Sequence, residues 1–302
     1  MSPFRPARGK PLGFLKGAAR LVVFDLIDLV PPTLTMPVYH RLRSGRWPNP
    51  SGSGFSDRLY ASKFMPITPE MVRLADKAAV KEIVRERLGP DWVVPTHFVG
   101  ESLPPVDHRT WPLPFVIKAT HGSGWNIFVR EPPDWPAIER TLSSWLRRKP
   151  YRFRGEFHYR QITPRVIVEP MINGRDLPND YKVLVIGGKA RFVQVDTGRE
   201  AVHHQAYYDR NWQKLPITRG HPPDPELRSA PARLPELLEA AERMAAGFDF
   251  LRVDFYEVDG QPYFGEGTFF PGAAVNRFDP LEYEQIIGDM WSSGAAATDP
   301  TD

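Results

Sequence analysis

The sequence predicts an α+β fold, and three observations carry that prediction. Two turn dipeptides, Gly187-Gly188 and Asp259-Gly260, each lie between apolar runs of strand length, which marks antiparallel hairpins. Capped helix starts occur apart from them, at Thr68-Pro69-Glu70 and at Asp134. Strands and helices do not alternate singly as in a parallel doubly wound sheet, and neither a G-x-x-x-x-G-K-[ST] loop nor a dinucleotide fingerprint is present.

The elements follow in order. Residues 1–66 are rich in Pro, Gly and Arg and read as a basic extension, with SGRWPNPSGSG (44–54) as loop. Thr68 caps a first helix. A second starts at Asp76, carries Val80, Ile83, Val84 and Leu88 at helical spacing, and stops at Gly89-Pro90. Residues 115–117 and 127–129 are short strands around a glycine-rich turn. Asp134 caps a helix with Ile138, Leu142, Trp145 and Leu146 on one face. A strand at 165–168 precedes the hairpin 181–186/189–195. Leu234, Leu237, Leu238, Ala241, Ala245 and Phe248 line a helix, and 251–257/261–266 form a last hairpin. Residues 292–302 read as a disordered tail.

Charge is unevenly distributed. Residues 1–75 hold eleven Lys/Arg against four Asp/Glu, about +7, while the whole chain is +3. Such a segment suits a polyanion, a membrane surface or open solvent. The apolar run at 21–30 contains Asp25 and Asp28 and runs into Pro31-Pro32, so it is too short and too charged to span a bilayer. It lacks a signal-peptide cleavage pattern as well. A cytoplasmic location is expected, with membrane association at most peripheral. The chain has no cysteine, which excludes disulfides, thiolate metal sites and cysteine nucleophiles. The basic stretch lacks the interleaved aromatics of a nucleic-acid module, so no nucleic acid is expected as partner.

Three segments could carry chemistry. In FVIKATHGSGWNIFV (115–129), Lys118 ends a strand and His121, Gly122, Ser123 and Gly124 follow. Successive amides of such a loop can cradle phosphate oxygens, with the lysine adding a point charge; the same residues would also make an ordinary hairpin with a surface lysine. In FLRVDFYEVDGQPYFGEGTFFPG (250–272), Arg252 and Asp254 point to one face and Glu266 ends the partner strand. Two carboxylates suit magnesium, which keeps waters and phosphates as its other ligands, and Arg252 suits a phosphate. A surface hairpin with a cross-strand Arg–Glu pair is the other reading. A two-residue turn would throw Glu266 to the opposite face, so the metal reading predicts a three-residue bulged loop at 258–260, with Arg252 opposite Glu266. In VIVEPMING (166–174), the backbone of Glu169, Pro170, Met171 and Ile172 could read an adenine edge, while Asp180 could accept from ribose hydroxyls and Lys182 could reach phosphate.

In this order the three segments resemble the ATP-grasp superfamily, and among its members the teichuronopeptide-biosynthesis, TupA-like type. The likeness rests on DKAAVKEIV (76–84), IKATHGSGWNIFV (117–129), NDYKVLVIGGKARFVQVD (179–196), YYDRNW (207–212) and RVDFYEVDGQPYFGEGTFFPG (252–272), and covers roughly residues 40–291. It implies two α+β subdomains clamping ATP: 67–174 with the glycine-rich loop and hinge, and 175–291 with the metal site, between the extension at 1–66 and the tail. By position, it implies Lys118, Lys182, Ser123 and Gly124 at the phosphates, Glu169, Pro170, Met171 and Ile172 at adenine, and Asp180 at ribose. Asp254 and Glu266 would bind Mg2+, and Arg252 the transferred phosphoryl group. Thr268 stands where many ATP-grasp enzymes have asparagine, and its hydroxyl can still serve the metal.

The resemblance implies an ATP-dependent carboxylate–amine ligase working through an acyl phosphate, with ATP and Mg2+ and with small-molecule or polymer substrates. Cell-surface polysaccharide or peptide-polymer synthesis is the implied setting, with glycosyltransferases as possible partners. His121, Arg199, His203 and His204 are candidates to touch the acceptor. Two other outcomes are compatible with the sequence: a phosphotransferase acting on a hydroxyl, and a non-catalytic nucleotide-binding subunit of a polysaccharide assembly system.

Overall fold

Thr68 and Asp134 cap the helices their positions announce. In the computed structural model, which describes residues 30–148, 154–197 and 203–292, the Thr68 hydroxyl accepts from Met71 N and Asp134 accepts from Ala137 N. The helices that follow are Pro69–Ala75 and Trp135–Leu146. Each satisfies one of the amides left open at a helix start. Asp76 is used differently from the expectation. Its carboxylate accepts from Ala78 N and Ala79 N and so caps a turn, and the helix proper runs Val80–Arg87. Gly89, at φ 104, ends the helix just before Pro90.

Two sheets result. We number helices α1 (Pro32–Ser44), α2 (Phe55–Ala61), α3 (Pro69–Ala75), α4 (Val80–Arg87), α5 (Trp135–Leu146), α6 (Leu234–Met244) and α7 (Glu282–Ser292). The strands of the first sheet are β1 (Phe98–Gly100), β2 (Phe115–Ala119), β3 (Asn126–Val129) and β4 (Val166–Pro170), in the order β1-β4-β2-β3. The second contains β5 (Asn179–Ile186), β6 (Lys189–Thr197), β7 (His204–Tyr208), β8 (Lys214–Leu215), β9 (Phe250–Val258) and β10 (Gln261–Thr268), in the order β10-β9-β5-β6-β7-β8. Every strand pairing within the two sheets is antiparallel. The α+β expectation therefore holds, with both hairpins where the turn dipeptides put them.

Each sheet has its own core. Ile138 and Leu142 of α5 pack on Phe115, Ile117, Val166 and Val168 of the first sheet. Leu237, Ala241 and Met244 of α6 belong to the larger core, with Val183, Val185, Leu251 and Val253 of the second sheet. The segment read as a basic extension contributes to that larger core. Phe55 of α2 is fully buried, with its ring edge against Phe250 and Phe278, both at 5.3 Å. The N-terminus of α2 is held from α7, where Glu284 accepts from Ser56 N and Ser56 Oγ, each at 2.9 Å. Just beyond α2, buried Lys63 donates to the carbonyls of Arg154 and Ala273, at 2.5 and 2.6 Å.

The apolar run at 21–30 except Val30, together with Arg199 and the tail at 293–302, lies outside the described residues. Among the described residues, no helix is long and apolar enough to cross a membrane.

Candidate functional site

The β9–β10 hairpin sets the centre of the site, and its register corrects one expectation. Asp259 and Gly260 both have positive φ, 51° and 75°, and close the turn in two residues. Pairing runs from Val258↔Gln261 to Phe255↔Phe264, skips Gly265, and resumes as Asp254↔Glu266 and Arg252↔Thr268. The bulge therefore lies inside β10 and not in a three-residue loop at 258–260, and Glu266 faces Asp254 instead of Arg252. The physical reason is that Asp259 accepts the left-handed conformation, which aspartate does more readily than most residues. Gly265 then supplies the extra residue that returns Glu266 to the face of Asp254. A Cβ at Gly265 would stand 3.1 Å from the Asp254 carbonyl oxygen and 3.2 Å from the Tyr256 ring, tighter than ordinary contact.

On this face the side chains interlock. Arg252 donates from Nε and Nη2 to the two oxygens of Asp254, both at 2.7 Å. Its Nη2 also reaches Thr268 Oγ1 at 3.0 Å and Glu266 Oε1 at 3.3 Å. Lys182 of β5, directly opposite Asp254, donates to Asp254 Oδ2 at 2.9 Å and to Asp180, and lies 3.7 Å from Asp196 Oδ2 on β6. Burial pulls the Lys182 ammonium down, but Asp254 and Asp180 outweigh it and the net shift is upward. Burial raises the Asp254 carboxyl to about 6, helped by Asp180 and Glu266 and opposed by Arg252 and Lys182.

The first sheet and α4 supply the facing wall. Glu169 on β4 is buried between two lysines, with Lys118 Nζ of β2 at 2.7 Å and Lys81 Nζ of α4 at 2.5 Å. Burial would raise the Glu169 carboxyl, but Lys118 and Lys81 pull it below its ordinary value. Lys77 joins the two walls: its Nζ donates to Gly122 O of the glycine-rich loop at 2.6 Å and lies 3.9 Å from Glu266 Oε2.

Between the walls is a cleft with two connected parts. One, of about 590 Å³, is lined by Val116, Phe128, Pro170, Met171, Ile172 and Leu177, with Lys118, Glu169 and Tyr256 at its inner end. The other, of about 360 Å³, shares Lys118, Glu169 and Tyr256 and continues to Lys77, Lys81 and Gly265. Pairing of β4 with β1 ends at Val168, so the backbone from Glu169 onward borders the apolar part. An apolar pocket running into a few convergent charges is the usual form of a small-ligand site.

The predicted residues fall into place unevenly. Lys118, Glu169, Pro170, Met171 and Ile172 line the cleft, while Asp180, Lys182, Arg252, Asp254, Glu266 and Thr268 form one linked network on the second sheet. Ser123 and Gly124 are exposed at the tip of the loop between β2 and β3, where Gly124 has φ 73°. The ring of His121, expected at the phosphates or the acceptor, is engaged elsewhere. It is buried, contacts Trp145 O through Nε2 at 3.3 Å and packs edge-on against Trp125. Burial lowers its pKa, opposed by the contact with Trp145 O. Gly122 beside it lies flat on Trp125, whose ring would be 2.7 Å from an added Cβ. His203 lies 3.4 Å from Asp196 Oδ1 and its ring sits tilted against His221 at 3.9 Å, while His204 pairs with Thr197 at the start of β7.

Lys77, Lys81, Asp196 and Tyr256 were not predicted for the site. The two lysines stand four residues apart in DKAAVKEIV, Lys77 in the turn before α4 and Lys81 in its first turn.

The donor set can be tested against a nucleotide with magnesium. Among the described residues, no three His, Cys, Asp or Glu converge into a self-sufficient metal cage. Asp254 and Glu266 face one another with Thr268 beside them, and two carboxylates suffice for an ion that brings phosphate oxygens and waters with it. Lys77, Lys118, Lys182 and Arg252 are the cations a polyphosphate would need. The residues therefore fit the pair.

The fold is similar to that of the L-amino acid ligase from Bacillus licheniformis, with TM-score 0.46 and 15% identity over 78% of this chain and 55% of that one. It is also similar to D-alanine–D-alanine ligases from Bacillus anthracis (TM-score 0.45, 17% identity, 74% of this chain and 67% of that one) and Helicobacter pylori (0.45, 15%, 81% and 70%). The chain thus spans about half the length of the first of these. No functionally curated protein matches the sequence. A family model described as TupA-like ATPgrasp matches residues 58–292, and the chain belongs to the TupA-like ATP-grasp family.

Proposed function

We propose that the protein is an ATP-dependent carboxylate–amine ligase. The observation that carries this reading is the continuity of the cleft: Lys118, Glu169 and Tyr256 border both its apolar part and its charged part. Adenine would occupy the pocket between Val116, Phe128, Met171 and Ile172, with its edge against the β4 backbone. Asp180 would take the ribose. Lys77, Lys118 and Lys182 would carry the phosphates, and Asp254 and Glu266 would hold Mg2+, with Thr268 next to them.

When bound, magnesium would neutralise phosphate charge at the terminal phosphate. The rest falls to this chain's own residues. Arg252 is planar and already oriented by Asp254, so it can hold a carboxylate or a transferring phosphoryl group in fixed geometry. A carboxylate oxygen of the substrate attacks the terminal phosphorus, the bond to ADP breaks, and an acyl phosphate forms. An amine nitrogen then attacks the carbonyl carbon, phosphate leaves, and the amine gives up a proton to solvent. Activation is needed because a carboxylate is a poor electrophile, and positioning with charge neutralisation is what the site supplies.

The family membership supports placing this chemistry in cell-surface polysaccharide or peptide-polymer synthesis. An assay of ADP release with candidate uronic acids and amino acids, with and without an amine, tests the proposal. Amide product and ADP in equal amounts are expected. A stable phosphorylated alcohol would identify a phosphotransferase instead, and nucleotide binding without turnover would identify a non-catalytic subunit.

A further inference from the structure

Helix α1 is docked by one face and bare on the other. Met36 and His40, four residues apart, are each 1% exposed. The His40 ring meets Tyr60 edge-on at 5.3 Å, and Ser44 Oγ donates to His40 O at 2.8 Å. Leu34, Val38 and Leu42 are also spaced by four and lie about half a turn away from the docked face. They are 62%, 48% and 79% exposed. A helix lying on a water-soluble body normally turns polar side chains outward at such positions. Single exposed aliphatics are common, but an ordered stripe of them marks a surface that something covers.

The surrounding charge indicates what that is. Residues 30–47 contain Arg41, Arg43 and Arg46 and no Asp or Glu. Arg46 is tied to Asp57 at 2.9 Å, whereas Arg41 and Arg43 stand exposed in the last turn of α1. Trp47, just past the helix, is 61% exposed. The preceding 29 residues add five Lys/Arg against Asp25 and Asp28. A protein groove could accept the aliphatic stripe, but charge of one sign on both sides of it suits a continuous anionic surface. Aliphatics and a tryptophan flanked by arginines are the composition of a helix lying in the headgroup zone of an anionic bilayer.

We propose that α1 is a membrane-surface anchor, with Leu34, Val38 and Leu42 sunk among the headgroups of anionic lipids and Arg41 and Arg43 against their phosphates. The anchor would hold the cleft near the membrane surface, and it stands whether or not the ligase reading does.

The test is co-sedimentation of the full chain with vesicles of phosphatidylcholine alone and of phosphatidylcholine with phosphatidylglycerol. We expect at least roughly tenfold stronger binding to the anionic vesicles, weakened by added salt. The triple variant Leu34→Glu/Val38→Glu/Leu42→Glu should lose about tenfold or more of that binding, with its melting temperature unchanged. The double variant Arg41→Gln/Arg43→Gln should lose several-fold. If the triple glutamate variant melts early, Leu34→Ser/Val38→Ser/Leu42→Ser removes the apolar stripe without adding charge, and the same loss is expected. The proposal is overturned if the wild-type chain ignores the anionic vesicles, or if the stripe variants bind undiminished, which would leave residues 1–29 acting alone. It is equally overturned if the wild-type chain is a dimer that the stripe variants convert to monomer, since the stripe would then join two copies of this chain.

Discussion

Lys182 and Asp254 stand directly opposite one another on β5 and β9, with Nζ 2.9 Å from Oδ2. The same ammonium also engages Asp180 and lies near Asp196. One buried cation thus holds carboxylates from three neighbouring strands, β5, β6 and β9. Lys182→Met would leave those carboxylates facing each other. We expect a loss of about 3 kcal/mol in stability, read by denaturant unfolding, and a fall in ATP turnover of roughly 100-fold or more.

Glu266 is held in place by a bulge, with the tip of Arg252, the Thr268 hydroxyl and Lys77 against its carboxylate. Glu266→Gln keeps its shape but removes its charge. The magnesium concentration giving half-maximal nucleotide binding should rise by roughly 100-fold or more, while nucleotide binding measured without the metal changes little. Titration of a fluorescent ATP analogue against magnesium measures both. An unchanged magnesium requirement would remove Glu266 from the metal site.

Gly265 tests the bulge itself. A side chain there would press on the Asp254 carbonyl and the Tyr256 ring. Gly265→Val should cost about 2 kcal/mol in stability and weaken magnesium binding by Glu266 and Asp254 together. By contrast Gly260→Asn, in a turn where asparagine tolerates positive φ, should affect neither by much. Thermal melting with and without magnesium and ATP distinguishes the two.

The pairing of Glu169 with Lys118 and Lys81 has a pH signature. The folded state holds this carboxyl below its ordinary value. Its contribution to stability is therefore complete above the unfolded value, about 4.3, and is lost as pH falls through the lower folded value. The stability deficit of Glu169→Gln relative to wild type should accordingly be largest at neutral pH and shrink below about pH 4. Parallel unfolding curves of the two proteins across the acid range would show it. A deficit that does not depend on pH would mean that the ion pairs contribute nothing.

The parts of the fold that depend on local rules were legible. Thr68 and Asp134 cap helices, and the Gly-Gly and Asp-Gly turns produce hairpins at the expected places. α1 and α2 were not legible, because Pro32, Pro37 and the dense glycines around them read as loop. Pro32 sits harmlessly in the first turn of α1, and the whole segment is held by long-range contacts such as Phe55 with Phe250. The face shared by Arg252, Asp254 and Glu266 followed from strand alternation together with a bulge. The place of that bulge did not, since a longer turn and an extra strand residue restore parity equally well. Lys77 and Lys81 escaped notice because their partners, Gly122, Val94 and Glu169, lie on other elements. His121 misled because its neighbours in sequence suggest a phosphate loop, while its neighbours in space, Trp125 and Trp145, keep its ring inside.

The charged cleft has a consequence for how a ligand arrives. Lys77, Lys81, Lys118, Lys182 and Arg252 are matched by Glu169, Asp180, Asp196, Asp254 and Glu266, so the cleft serves as its own counter-ion atmosphere. An incoming polyanion with its metal exchanges partners here; it does not displace mobile salt from an open cationic surface. Ion pairs this deeply enclosed are little screened. Nucleotide affinity should therefore respond only weakly to ionic strength, and association should be governed by how fast the internal pairs let go.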